Sequence, residues 1–281
     1  MKATPYEQIQ QELKKKLPAT LLSKLPKKWE KLGDIIILTL SDSLHEYKNI
    51  IGKTYASILG GTSVLEDKGG IQGEYRQPTV SHIYGSTETE TEHKENDVRY
   101  LLDPQKVMFS SGNMSERIRM ATIADASETI VDLFAGIGYF TLPIAVHSTP
   151  KKLIAVELNP VAFSYLKKNI VLNHVTDIVE PVLGDNRQVA PDGVADRVII
   201  GYLGNTSAYL PVAMRCLKPE GGIIHYHDVV PIEVMKYRPM QALRSTAVPH
   251  GFKVKLKEFH VVKSYAPGIN HVVLDGEVTP R

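Results

Sequence analysis

The 281-residue sequence holds one cysteine, Cys216, and one tryptophan, Trp29. A single cysteine excludes an internal disulfide and any cysteine-rich zinc or iron–sulfur site, and leaves Cys216 as a small buried hydrophobe. No apolar run approaches the roughly 20 residues that a membrane span needs. The opening MKATPYEQIQ has no apolar core of the kind that exports a chain, so a cytoplasmic location is expected. Internal repeats and low-complexity tracts are missing as well. Charge of one sign is scarce in the sum, with 33 Lys and Arg against 31 Asp and Glu and a net charge of +2. That balance alone demands no polyanionic partner. The distribution is uneven, because Lys14, Lys15, Lys16, Lys24, Lys27, Lys28 and Lys31 crowd the first part of the chain. Such a run is either a solvated face or a phosphate-contacting one.

What is present describes a two-part globular chain. The hydrophobic fraction of 43% and charged fraction of 23% are ordinary for one. The length suits one large domain beside a smaller one, and we divide it near residue 95. Residues 1–95 read as a small α+β domain. It has an amphipathic helix over about 6–17, an apolar strand over 34–40 and a helix over 44–59. A mostly antiparallel sheet then turns at Gly60-Gly61, Gly69-Gly70 and Gly85. Residues 96–281 alternate strands and helices. A helix is expected over 113–126. The strands are ETIVDLFAG, KLIAVELN, DIVEPVLGD, ADRVIIGY and EGGIIHYHDVV, followed by the pair FKVKLKEFHVVKSYAP and NHVVLDGEV. Strands spaced by helices imply a parallel sheet with right-handed crossovers. The last two strands have no helix between them and must pair antiparallel. That combination is the class I S-adenosylmethionine-dependent methyltransferase-like version of the Rossmann α/β fold.

The spacing builds one pocket. Gly136 and Gly138 follow the first strand, where a bare backbone can pass close to a ligand. The third glycine of a dinucleotide fingerprint is absent, which favours S-adenosylmethionine over a ligand with a pyrophosphate. Glu157 ends the second strand about 20 residues on, positioned to accept both hydrogen bonds of a ribose diol. Asp185 and Asn186 end the third, positioned to read an adenine edge. Asp132 sits within the first strand and fixes the turn that carries Phe134. Ahead of this core lie Ser110 and Arg117, the arginine suited to gripping an amino-acid carboxylate.

The segments GEYRQP, TETEHKENDVRYLLDPQKVMFS, ERIRMA, VDLFAGIGYFTLPIA, VELNPVAFSYLKKNI, GDNR and YAPGINHVVLD together resemble the tRNA guanine-37 N1-methyltransferases and their sister enzymes of wyosine synthesis. The resemblance runs from about Leu25 to Asp275. The methyltransferase branch reads Phe-Ser-Pro-Arg where this chain has Phe109-Ser110-Ser111-Gly112-Asn113. It carries an Asn-Leu-Pro-like element where this chain has Gly201-Tyr202-Leu203-Gly204-Asn205. Both departures, with the GIIHYHDVV strand, look like the tRNA wybutosine-synthesising protein 2 family. The resemblance implies transfer of the 3-amino-3-carboxypropyl arm of S-adenosylmethionine, in place of its methyl group. The implied acceptor is a carbon of 4-demethylwyosine at position 37 of tRNA(Phe).

On that reading, Gly201 and Gly204 leave open space where the arm and a flat base meet. The nucleophile is an electron-rich ring carbon, so positioning carries most of the acceleration. Glu116 is the candidate base for the departing proton. Arg76, His82 and His93 are candidate tRNA contacts, and Tyr202 a candidate stacking platform. His225 and His227 alternate along one strand without a third ligand at a suitable spacing, so no metal is expected. A monomer that binds the anticodon stem-loop of tRNA(Phe) is expected. An N1-methyltransferase with an unusual catalytic element, or a tRNA-binding protein without catalysis, stands as the alternative.

Overall fold

The computed structural model describes residues 3–281. The chain forms two compact units. One runs up to Lys94 and includes Arg99–Ser111; the other joins Glu95–Val98 to Gly112–Arg281.

The first unit starts with helix α1 (Pro5–Leu13). Thr4 and Glu7 close a capping box at its start, Pro5 occupies the first turn, and Ile9 and Leu13 face inward. A short helix α2 (Ala19–Leu22) follows. Strands β1 (Glu30–Leu32) and β2 (Ile35–Leu38) pair antiparallel. Helix α3 (Lys48–Leu59) ends on Gly60 at φ +66°, a left-handed cap that glycine adopts without strain. It crosses from β2 to β3 (Ser63–Gln72), and these two strands pair parallel. β4 (Gln77–Gly85) then pairs antiparallel with β3. The sheet order is β1-β2-β3-β4. The helix between β2 and β3 supplies the crossover that a parallel pairing requires, so the sheet is mixed. Ile9, Leu13, Ile36, Leu38, Ile51, Tyr55 and Val64 form its core. Strands β5 (Thr91–Glu95) and β6 (Val98–Leu102) form a separate two-stranded sheet. Asn96 and Asp97, at φ +45° and +61°, make its two-residue turn.

The second unit has one seven-stranded sheet. Helix α4 (Met114–Met120) is shorter than the pattern suggested. After it come β7 (Thr129–Asp132), α5 (Thr141–His147), β8 (Lys152–Glu157), α6 (Pro160–Leu172), β9 (Val179–Leu183) and α7 (Asn186–Val189). The chain ends with β10 (Arg197–Ile200), α8 (Leu210–Cys216), β11 (Gly222–Pro231), α9 (Arg238–Ala247), β12 (Phe252–Ala266) and β13 (Ile269–Pro280). The strand order is β12-β13-β11-β10-β7-β8-β9. β7 to β11 run parallel, while β13 lies antiparallel between β11 and β12. The direct β12–β13 connection forces that reversal. One face of the sheet carries the largest apolar cluster, with Val131, Val198, Ile200, Ile224, Tyr226, Val272 and Leu274 packed against Leu210, Met214, Met240 and Leu243. The other face carries Arg197, His225, His227 and Asp275. The order reverses between β7 and β10, and a crevice outside the carboxyl ends of the strands is where such sheets bind ligands.

Candidate functional site at the carboxyl ends of the strands

At the end of β7 the chain turns through Gly136 and Gly138, at φ +59° and +105°. A side chain on Gly136 would come within 2.2 Å of the Tyr139 ring, and one on Gly138 within 2.6 Å of Leu142. Only glycine meets both demands. Asp132 holds the turn from below: one carboxylate oxygen accepts from the Phe134 amide at 3.1 Å and the other from the Thr141 hydroxyl at 2.8 Å. Complete burial pushes Asp132 up to about 6 against those hydrogen bonds.

Glu157 reaches back to the same turn. One oxygen accepts from the Gly136 amide and the other from the Asn159 amide, both at 2.7 Å. Burial raises its pKa, and the backbone amides pull it back in part. Each oxygen retains lone-pair capacity beyond its backbone bond. Asp185 caps α7 through the Arg187 amide and also pairs with the Arg187 guanidinium. Asn186 donates to the Leu133 carbonyl at 2.9 Å, and its buried Oδ1 has no partner among the described residues. Glu157 and Asn186 therefore present acceptors to the two sides of one turn. These groups fit the ribose and adenine of a nucleoside.

At the end of β10, Phe140 occupies the position beside Gly201. A Cβ there would lie 2.9 Å from its ring. The Tyr202 ring does the same at Gly204, also at 2.9 Å. The two glycines thus admit the chain's own aromatic rings, where the sequence had suggested open space. Tyr202 stacks on Phe134 at 5.0 Å, and Tyr209 meets both rings edge-on. The role of Phe140 carries no local sequence signal, because its partner Gly201 is 61 positions away (201 minus 140).

Arg117 and Glu116 are both buried on α4. The Arg117 guanidinium is held by Glu95, with nitrogen–oxygen distances of 2.8 and 2.6 Å. Both oxygens of Glu116 accept from Arg119, which also binds Asp275 at 2.6 Å. A carboxylate so engaged is placed as a structural partner. Burial would raise Asp275, but the hydrogen bond from His225 and the charge of Arg119 prevail and hold it well below the carboxylate range. Glu258, His260 and Asp275 lie with ligand-capable atoms within 4.8 Å of one another. Since Arg119 and His225 already occupy Asp275, that trio is an ion-pair network.

Ser110 falls in the first unit. So do Arg76, His82 and His93. Arg76 stands at φ +51° in the β3–β4 turn, His82 lies opposite Leu65 on β4, and His93 accepts from the Gly33 amide through Nδ1. His93 also packs edge-on against Phe109 at 5.1 Å. No helix among the described residues is long and apolar enough to cross a membrane.

Comparison with known proteins agrees with this architecture. Residues 91–255 match the TRM5/TYW2 methyltransferase domain, and residues 9–89 match the TYW2 N-terminal domain. A tRNA(Phe) (4-demethylwyosine(37)-C(7)) aminocarboxypropyltransferase of Pyrococcus horikoshii is 43% identical over 268 residues, 95% of each chain. The crystal structure of P. horikoshii TYW2 in complex with MeSAdo superposes with a TM-score of 0.88 at 39% identity, covering 98% of this chain and 99% of that one. Trm5b of Pyrococcus abyssi superposes at 0.82 with 32% identity, covering 94% of this chain and 78% of that one. The chain belongs to the TRM5/TYW2 family and carries the N-terminal domain of its TYW2 branch.

Proposed function

We propose that this chain transfers the 3-amino-3-carboxypropyl group of S-adenosylmethionine to a carbon of 4-demethylwyosine at position 37 of tRNA(Phe). Methylthioadenosine is the by-product. The observation that carries this reading is the 43% identity, over 95% of both chains, to a relative that bears that activity in its name. The ligand of the superposing TYW2 structure points the same way, since MeSAdo, methylthioadenosine, is what remains of the donor once its arm has left.

The geometry supplies a physical basis. Glu157 receives the ribose hydroxyls, and Asn186 Oδ1 receives the adenine amino group. Gly136 and Gly138 bring the backbone of the turn near the donor, with Asp132 and Phe134 fixing its shape and Asp185 its exit into α7. Arg117 serves the amino-acid end. All three carbons on the sulfonium are open to attack, so the outcome depends on which one is held in line with the nucleophile at about 3–3.5 Å. The stacked Phe134–Tyr202 pair, braced edge-on by Tyr209, offers an aromatic face for the acceptor base. Residues 1–95, with Arg76, His82 and His93, contact the anticodon stem-loop, and residues 96–281 perform catalysis. The target base is drawn out of the loop stack before it reacts. The enzyme works as a metal-free monomer in the cytoplasm.

Incubation with S-adenosylmethionine and tRNA carrying the tricyclic precursor tests the reaction. Methylthioadenosine as the nucleoside product is expected. S-adenosylhomocysteine would overturn the reading in favour of methyl transfer.

A further inference from the structure

His225 and His227 project from β11 to the same face of the sheet and are both buried. His225 is fully engaged, with one ring nitrogen 2.6 Å from Asp275 and the other 2.7 Å from Arg197. His227 is engaged on one side only. Its Nδ1 lies 3.0 Å from Nε2 of His271 on β13. The outer nitrogens of the pair, His227 Nε2 and His271 Nδ1, are buried without a hydrogen-bond partner among the described residues. A buried polar atom left unpaired forfeits the hydrogen bond it made to water, and folded proteins keep few such atoms.

Burial makes both rings neutral. It takes His227 well below its ordinary value, with His271, His225 and Arg119 adding to the effect, and takes His271 to about 4, with Lys263 adding to it. Between two neutral imidazoles, one nitrogen of the shared bond carries the hydrogen and the other accepts it. One outer nitrogen is then an acceptor and the other an N–H donor. This arrangement can pass a proton: one arrives at the first ring, one crosses the shared bond, and one leaves from the second ring.

The two ends of the pair face different surroundings. The Phe140 ring lies 4.9 Å from the His227 ring and also fills the place beside Gly201, at the carboxyl end of β10. On the other side, the half-exposed Lys263 of β12 lies close enough to depress His271. The titratable and charged groups that act on His227 are His271, His225 and Arg119, with Asp275 opposing them.

Resting on the transferase reading above, we propose that the His227–His271 pair removes the proton that the acceptor carbon loses. As that carbon bonds to the terminal methylene of the arm, the carbon–sulfur pair stays on sulfur, which departs as a neutral thioether. The acceptor carbon then bears both its original hydrogen and the new substituent, and the ring is a cation. Loss of the hydrogen as a proton returns its bonding electrons to the ring. His227 Nε2 receives the proton once the incoming base has turned Phe140 aside. His227 Nδ1 passes its own proton to His271 Nε2, and His271 releases one from Nδ1 on the Lys263 side. A ring cation is a strong acid, so a weak neutral base suffices. A neutral base also avoids adding a second positive charge before transfer.

The test uses full-length protein and precursor tRNA carrying either hydrogen or deuterium at the acceptor carbon. Wild-type protein should form product at the same rate from both, because bond formation to carbon is slower than proton loss. His227→Phe keeps a flat ring against Phe140 and removes both nitrogens. It should lower turnover by about a hundredfold and reveal a primary isotope effect, with S-adenosylmethionine affinity unchanged by calorimetry. His271→Gln should show the same isotope effect with a smaller loss, and it serves alone if His227→Phe fails to fold. Full turnover in the variants, or slow turnover without an isotope effect, would overturn the relay. Weakened donor binding without an isotope effect would instead make the pair an anchor for the arm. Release of S-adenosylhomocysteine by wild-type protein would fail the transferase reading itself and the relay with it.

Discussion

On the β7–β8–β9 side of the sheet, polar groups at the strand ends are held by a few backbone bonds and keep capacity in reserve. Glu157 takes one amide on each oxygen, and Asn186 leaves Oδ1 unpaired. On the β11–β13 side almost nothing is in reserve. Asp275 is bound by His225 and twice by Arg119, Arg119 is bound by Glu116, and His225 continues to Arg197 and Glu128. The first arrangement can take up a ligand without losing a bond. The second cannot lose a member without leaving a buried charge. Spare and fully engaged polar groups therefore divide across the switch point, and the His227–His271 pair is the exception on the closed side.

The division breaks if the closed side proves dispensable. Arg119→Ala leaves Glu116 and Asp275 without their shared cation, a loss of about 3–5 kcal/mol for a buried pair. Urea unfolding should show the full loss. A cost below about 1 kcal/mol would mean that the network is decorative.

A pH series sharpens the same comparison. His271 has a folded pKa near 4, below its value of about 6.5 in an unfolded chain. A lowered folded pKa contributes stability above pH 6.5 that is lost as pH falls towards 4. The gap between the two values corresponds to about 3 kcal/mol. Asp132, raised to about 6, acts in the opposite sense, since its contribution is lost as pH rises through 6. Comparing wild type with His271→Gln cancels Asp132. The difference in unfolding free energy between them should shrink below pH 6.5, and a constant difference would contradict the buried neutral ring.

Glu157→Ala tests the open side. Loss of two hydrogen bonds to the ribose hydroxyls should weaken S-adenosylmethionine binding by about 1.5–3 kcal/mol, or about ten- to hundredfold in Kd. Calorimetry reads this directly. Unchanged affinity would remove Glu157 from the site.

The open side was largely legible in the sequence. A glycine turn after an apolar strand, an acid about 20 residues later and a strand-end Asp-Asn are local signals, and the parallel pairing with its closing antiparallel hairpin follows from where helices separate the strands and where none does. The closed side was not. Arg119 and Asp275 are 156 positions apart, and His225 and Asp275 are 50 apart. Nothing in the local pattern pairs a buried acid with a distant cation; the sheet register does. The Glu116–Arg119 contact is local, three residues apart on one helix; what the local pattern hides is its continuation to Asp275. The parallel β2–β3 pairing was hidden for a related reason. A strand–helix–strand crossover in a small domain looks, residue by residue, like an antiparallel meander with a helix inserted.

The same contrast between engaged and spare groups sorts the lysines at the start of the chain, where the expected effects are smallest. Lys31 donates to the Leu59 and Gly60 carbonyls at 2.6 and 3.2 Å, closing the end of α3. Lys16 pairs with Glu12, and Lys24 reaches the Ser43 hydroxyl at 3.2 Å. Lys15, Lys27 and Lys28 are exposed. Removing one cation that neutralises a phosphate should lower the slope of log affinity against log salt by about one. Lys15→Ala, Lys27→Ala and Lys28→Ala should each reduce that slope in tRNA binding. Lys16→Ala should reduce it less, because part of its charge is already spent on Glu12. Lys31→Ala should leave the slope alone and lower thermal stability. Equal effects from Lys31 and Lys28 would show that these lysines act only as a diffuse charge.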